Sequence, residues 1–576
     1  MPDMAESASF LSYKPVALAF GTSGLRGLVD DITDLEAYIN VKGGMRYLLR
    51  SGDIKAASTV VLAGDLRPST DRIMRATARA IVDAGLGVEN AGKIPTPALM
   101  LHSMTTGRAG VMVTGSHIPF DRNGIKINKS VGEVLKTDEA GITQEVERVR
   151  AEEYGRTAAD SLFTSSGMLK ESRALASVDG AAEERYVRRY VEGFAANGLA
   201  GLTVLVYEHS AVGRDLLARV LRELGADVVT AGRAETFIPI DTENITDELL
   251  GRLEGLVLAA EAAGKSPDVI VSTDGDSDRP LVAAVLPRTA PGTVVTGASH
   301  ARRVQFMSGD LLGIVVAEHL GADAIAVPIS ANDAVERRMA ERKVWFEKTK
   351  IGSPYVVAAI ERLTRQAGVA RVVGWEANGG FLLGSQVSLG GERISALPTR
   401  DALLPILTNL YAARGQNVTL SALWSRLPAR FGKAGLLDNF PVAVSRAIVD
   451  KLAPQGGPME VAFAPDSSDV RSGPVAGSPE SSVLEPQATT WRECAATLRQ
   501  FFSDAFGFGP VARINVLDGV RVYFTNGDVA HVRPSGNAPQ LRIYANTDTQ
   551  ARADEIVAES LREPDGILRK LEKSFS

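Results

Sequence analysis

Apolar and polar positions follow two alternating rhythms along this chain. Short β-branched runs such as "STVVLAG" (58–64) lead into stretches with apolar residues on a helical period, here "STDRIMRATARAIVDAG" (69–85), which Ser69 or Thr70 can cap and Gly85 can stop. The same strand-then-helix order returns at 202–229, at 268–275 and through 310–376, which predicts α/β units in tandem. After about residue 430 the rhythm changes. The stretch "ARINVLDGVRVYFTNGDVAHVRP" (512–534) reads as antiparallel strands with turns at Asp518 with Gly519 and at Asn526 with Gly527.

The fold class expected is therefore α/β, as three tandem mixed α/β domains followed by an α+β domain, with boundaries at 1–175, 176–300, 301–428 and 429–576. Residues 464–487 are rich in Pro, Ser and Gly and carry no apolar period, so they are expected to form a flexible surface insert.

Composition narrows the function classes. A net charge of −6 offers no footprint for nucleic acid or an anionic membrane, and any anionic ligand must be held by local cations. Cys494 is the single cysteine, in an amphipathic stretch, which excludes a disulfide framework and a cysteine zinc cluster. No run approaches the ~20 apolar residues of a membrane span, and the first residues lack the apolar core of an export signal, so a soluble cytoplasmic protein is expected.

Four loops carry candidate chemistry. "VSTDGDSDRP" (271–280) sets Asp274, Asp276 and Asp278 at alternate positions before Arg279, at the end of an apolar strand, where ligands bind in open α/β sheets. Three carboxylates so close repel unless neutralised, and hard oxygen donors favour Mg²⁺ or Ca²⁺. An EF-hand is excluded, because Arg279 stands where its glycine is required and Val285 where its glutamate is required. "TGSHIPFDRNGIK" (114–126) exposes Ser116 and His117, with Lys126 following; a serine needs a base, a metal or a charged setting to react. In "GWEANGG" (374–380), Glu376 and Asn378 offer the acceptor and donor pairing a sugar requires. In "RPSGNAPQLR" (533–542), Arg533, Ser535, Gly536, Asn537 and Arg542 surround a turn suited to phosphate. Taken singly, each loop also fits an ordinary turn with a solvated or capping side chain.

Together with "FGTSGLRG" (20–27), these motifs stand in the order found in the α-D-phosphohexomutase superfamily, the phosphomannomutase and phosphoglucomutase group, which the chain resembles over almost its whole length. The resemblance implies four domains around a central cleft and interconversion of hexose 1-phosphate and hexose 6-phosphate through a phosphoserine and a bisphosphorylated sugar. It assigns Ser116 as the phosphoryl carrier and Ser116, Asp274, Asp276 and Asp278 as the shell of Mg²⁺. Arg279 and Arg26 would face the moving phosphoryl group, and Lys126 or His117 would move the proton. Glu376 and Asn378 would grip sugar hydroxyls, and Arg533, Ser535, Gly536, Asn537 and Arg542 the resting phosphate. A hexose 1,6-bisphosphate is the implied activator, the partner is a small phosphosugar, and the assembly a monomer or weak homodimer.

Where many relatives read Thr-Ala-Ser-His-Asn-Pro, this chain has Gly115 and Ile118; where many read Gly-Glu-x-Ser-Gly-His, it has Trp375, Asn378 and Gly380; and Ser353 stands where some bacterial relatives place a histidine. The implied substrate is mannose phosphate first, with phosphoglucomutase and phosphoglucosamine mutase as alternatives. An aspartyl-phosphate phosphatase built on Asp274 and Asp276, or a non-catalytic phosphosugar-binding protein, are the readings from other classes.

Overall fold

The computed structural model describes residues 10–21, 24–287, 303–454, 457–463, 470–472, 488–535 and 539–576. The chain divides into two compact units, Met1–Ala322 with Gly352–Leu423, and Asp323–Ile351 with Trp424–Ser576. Residues 323–351 cluster with the second of these units.

In the first unit, the strands Thr59–Gly64, Gly87–Lys93 and Gly110–Val113 run parallel, and Arg122–Lys129 and Leu25–Leu28 add antiparallel to the same sheet. The helix Thr70–Asp83 lies where the pattern puts it, with Ser69 at its N-cap. The Ser69 hydroxyl is bonded by Asn123 and caps nothing. A second sheet pairs Val269–Thr273 parallel to Thr203–His209 and antiparallel to Pro280–Val285. A third set of strands, Val372–Trp375, Phe381–Leu383 and Leu397–Asp401, is antiparallel throughout. Buried aliphatic faces of strand and helix fill the layers between, as with Val60, Leu62 and Val111 against Ile73, Ala80 and Ile81.

In the second unit, Ala324–Pro328 and Trp345–Thr349 are parallel neighbours. The rest is an antiparallel sheet in the spatial order Phe431–Leu437, Leu541–Thr547, Val529–Pro534, Val520–Phe524, Val511–Asn515, Glu460–Phe463, Val470–Ser472. Gly519 and Gly527 turn its hairpins at φ 84° and 88°, as the Asp-Gly and Asn-Gly pairs predict. Cys494 is buried in the apolar core of this unit. Of residues 464–487, expected as a flexible surface insert, Val470–Ser472 pairs antiparallel with Glu460–Phe463, and 464–469 and 473–487 lie outside the described residues. Among the described residues no helix is long and apolar enough to cross a membrane.

Candidate active site

Three of the loops singled out in the sequence leave the carboxyl ends of strands in the first unit: Ser116 after Gly110–Val113, Asp274 after Val269–Thr273, and Glu376 after Val372–Trp375. The strand order that buries their β-branched residues also delivers their polar ends to one place.

The acidic loop is the turn of a hairpin, closed by the pair Thr273 and Pro280. Its backbone is tied down on several sides: the N–H groups of Thr96, Val212 and Gly213 donate to Asp276 O, Gly275 O and the Ser277 hydroxyl at 3.0, 3.0 and 2.9 Å. Asp274, Asp276 and Asp278 are all fully buried, and each offers one oxygen within 4.8 Å of the other two.

The partners of those oxygens test whether a cation fits. Asp276 Oδ2 accepts from Thr96 Oγ1 and from Lys126 Nζ, both at 2.7 Å, while its Oδ1 has no hydrogen-bond donor. Asp278 Oδ2 accepts from Lys126 at 3.2 Å and from Arg400 Nε at 3.0 Å, and again Oδ1 has no donor. Asp274 Oδ1 accepts the backbone N–H groups of Asp278 and Arg279, at 3.1 and 3.2 Å, and Oδ2 accepts the Ser116 hydroxyl at 2.7 Å. Bare, fully buried carboxylate oxygens are costly in a folded protein unless something positive meets them. The donor set is all oxygen, which suits a hard divalent cation.

The electrostatics agree. Burial, then the charges of Asp276 and Asp278, push the Asp274 carboxyl well above the usual carboxylate range. Burial works the same way on Asp276, but the Lys126 ammonium and the Thr96 hydroxyl outweigh it and hold that carboxyl below the usual range. Opposite shifts on neighbouring buried carboxylates are what like charges sharing one site produce.

Ser116 is fully buried and has φ 54°, the left-handed region that residues with a Cβ enter only when held there. Its N–H donates to Thr114 Oγ1 at 2.8 Å, and its carbonyl accepts from Arg67 Nη2 at 2.9 Å. Arg67 also donates to the carbonyls of Ile118, Pro119 and Arg122 at 2.5, 2.6 and 2.9 Å and to Asp65 Oδ2 at 3.2 Å. His117 is held well below the ordinary histidine range by Arg279, by burial and by Arg26. Arg26 sits on Leu25–Leu28 opposite Gly124, two residues before Lys126. Burial and the like charges of Arg279 and Arg400 lower it to about 10.

Arg279 is buried, with Nε 3.6 Å from Asp278 Oδ1 and 3.8 Å from Asp274 Oδ2, ion-pair distances at which no hydrogen bond forms. Glu376 Oε2 accepts from Arg400 Nη1 at 3.1 Å. The Asn378 carboxamide oxygen accepts the N–H of Gly380 at 3.0 Å, closing its own turn. Sequence reasoning passed over Arg67, Arg400 and Thr96. A signal existed for the first, since Asp65 and Arg67 also follow a parallel strand; none existed for Arg400.

Of the fourth loop, Arg533 Nε donates to Asp518 Oδ1 at 3.0 Å, and Ser535 and Gln540 close the neck of the turn at 2.9 Å. Arg542 pairs with Arg533 across the two strands. These residues belong to the second unit, and Gly536 and Asn537 lie outside the described residues.

Comparison with known proteins gives a consistent likeness. Residues 17–153 match phosphoglucomutase/phosphomannomutase, alpha/beta/alpha domain I; 308–431 match alpha/beta/alpha domain III of the same family; and 489–563 match its C-terminal domain. A phosphomannomutase of Sinorhizobium fredii is 35% identical over 544 residues, 94% of this chain and 98% of the relative. One from Salmonella muenchen is 33% identical, over 93% of this chain and 94% of its own length. A phosphoglucosamine mutase of Rhodococcus opacus is 28% identical, over 75% of this chain and 87% of its own. The fold is shared with a phosphoglucomutase/phosphomannomutase family protein from Burkholderia thailandensis, at TM-score 0.64 and 17% identity, covering 96% of this chain and 98% of that one.

Proposed function

Because the chain belongs to the phosphoglucomutase/phosphomannomutase family, we propose that it interconverts hexose 1-phosphate and hexose 6-phosphate, with mannose phosphate as preferred substrate. The preference rests on the relatives: those named phosphomannomutase reach 33–35% identity over more than nine-tenths of the chain, those named phosphoglucosamine mutase 26–29% over less.

The observation that carries the reading is the Ser116 hydroxyl, 2.7 Å from Asp274, beside two carboxylates that each keep one bare oxygen. In the cycle, the Oγ–P bond of phosphorylated Ser116 breaks as the free hydroxyl of the sugar forms its own O–P bond. The sugar then carries two phosphates, turns over, and returns the other one to Ser116. For the proton the candidates are Lys126, at 2.7 Å from Asp276, and then His117: the Lys126 ammonium gives its proton to the serine Oγ as that oxygen leaves phosphorus, and the amine so formed, or His117, takes the proton of the attacking hydroxyl. Arg279 and Arg26 steady the charge of the moving group, since phosphoryl transfer depends mainly on positioning and charge. Mg²⁺, held by Asp274, Asp276, Asp278 and Ser116, would neutralise the phosphoryl oxygens when bound. Glu376 accepts from sugar hydroxyls, and the turn that carries Arg533 and Ser535 suits a phosphate. A hexose 1,6-bisphosphate serves as activator by phosphorylating an empty Ser116.

The test is a coupled assay with the 1-phosphates of mannose, glucose and glucosamine, with Mg²⁺ and a trace of the matching bisphosphate. The expected order of kcat/KM is mannose, glucose, glucosamine; no 6-phosphate from any of the three overturns the reading.

A further inference from the structure

Arg400 ties the acidic loop to the sugar loop. Its Nε and Nη2 each lie 3.0 Å from Asp278 Oδ2, and its Nη1 donates to Glu376 Oε2 at 3.1 Å. We propose that Arg400 is a positioning residue, which aims Glu376 at the sugar and leaves only Oδ1 of Asp278 to the cation. The part concerning Glu376 rests on the function proposed above; the part concerning Asp278 does not.

The strand that carries Arg400 is pinned on either side of it. Thr399 donates to Glu133 Oε1 at 2.7 Å, and the other oxygen of Glu133 accepts Ser353 Oγ at 2.9 Å. Asp401 accepts the hydroxyl of Tyr186 at 2.6 Å and that of Tyr190. Its guanidinium plane is therefore set by the scaffold, and a planar fork with fixed donors can hold two carboxylates in one geometry as a lysine cannot. Space for it comes from Gly380: a Cβ there would stand 2.7 Å from Cγ and Cδ of Arg400. The sugar loop thus lacks a side chain at the one position where the arginine passes.

Arg400 also fixes how Asp278 is used. With Lys126 it occupies Oδ2, and Oδ1 has no hydrogen-bond donor, with Arg279 Nε 3.6 Å away. Removing the guanidinium leaves Oδ2 with the longer Lys126 bond and deletes a positive charge from the site, so the cation gains while the sugar loses.

The experiment compares the full chain with Arg400→Ala, Arg400→Lys and Gly380→Ala, reading Mn²⁺ affinity by electron paramagnetic resonance and kcat and KM with the best hexose 1-phosphate. Arg400→Ala is expected to bind Mn²⁺ several-fold more tightly and to lose about 10²-fold in kcat/KM, mostly as a higher KM. Arg400→Lys recovers part of the loss. Gly380→Ala displaces the arginine, reproduces both effects, and adds nothing in the Arg400→Ala background. Weaker Mn²⁺ binding by both Arg400→Ala and Gly380→Ala, or wild-type kcat and KM in Arg400→Ala, overturns the proposal. If the unsubstituted chain turns over no hexose phosphate, the function reading fails, and the Mn²⁺ comparison still decides the role of Arg400 at Asp278.

Discussion

Ser116 and Asp274, 158 residues apart in the chain, meet through a hydrogen bond of 2.7 Å between hydroxyl and carboxylate. The contact joins the ends of strands in two different sheets, and it makes the serine separable from the fold. Asp274 keeps two backbone donors without it.

Ser116→Ala is therefore expected to fold normally and to lose several orders of magnitude in kcat, measured by the coupled assay. At φ 54° both Ser and Ala carry the strain of a Cβ in the left-handed region. Ser116→Gly relieves it and is expected to be more stable than Ser116→Ala by about 1 kcal/mol, read from denaturation midpoints. Normal turnover in either variant removes the serine from the mechanism.

Arg67 uses all five of its N–H donors, on four carbonyls of residues 116–122 and on Asp65. Lysine has three donors and no fork, so Arg67→Lys leaves buried carbonyls unpaired at about 1–3 kcal/mol each. The expected result is a lowered melting temperature together with a reduced kcat, because the serine loop loses its anchor. A melting temperature unchanged from that of the parent chain contradicts this.

The strand-to-helix rhythm and the Asp-Gly and Asn-Gly turns were legible because each rests on neighbours in sequence: Val60 and Leu62 face one layer by simple alternation, and Gly519, at φ 84°, ends the short connection 516–519 between Val511–Asn515 and Val520–Phe524. The three loops were legible for a related reason, since each is a polar group placed directly after an apolar strand. Arg400 was not. It lies between Thr399 and Asp401 in a strand without a motif, and its meaning comes from Asp278, 122 residues earlier. Asn378 was read only in part: the turn that Gly379 makes at φ 87° takes up the carboxamide oxygen expected for the sugar. Val470–Ser472 is a strand of three residues, too short to show a period.

His531 supplies a pH dependence. It is fully buried in the second unit, with Nε2 donating to the Asp518 carbonyl at 2.7 Å, and burial together with Arg521 lowers it to about 3. A folded-state value below the unfolded 6.5 means that stability is fully present above pH 6.5 and is lost as pH falls towards 3, because only the unfolded chain takes up the proton. His209, lowered by burial to about 4, acts with the same sign. His531→Gln keeps the donor and removes the titration. Between pH 7 and pH 5 it is expected to lose about 2 kcal/mol less than the parent, by urea denaturation at both values. An equal loss in the two proteins contradicts the assignment.

Gly275, between Asp274 and Asp276, packs against the backbone of the serine loop. A Cβ there would stand 2.5 Å from the Ser116 carbonyl oxygen and 2.7 Å from the Phe237 ring. Neither neighbour can withdraw: the carbonyl is held by Arg67 Nη2, and the Arg67 guanidinium itself lies 4.0 Å over the Phe237 ring. Gly275→Ala must therefore push the loops apart, at a cost of about 1–3 kcal/mol in stability. A displacement of about 1 Å between a reacting group and its partners is enough for a ~10²-fold loss of rate. The expected outcome is a folded protein with kcat lowered by at least about that factor and a smaller Mg²⁺-induced rise in melting temperature. Wild-type turnover with an undiminished Mg²⁺ shift would show that the serine and the carboxylates do not depend on this contact for their alignment.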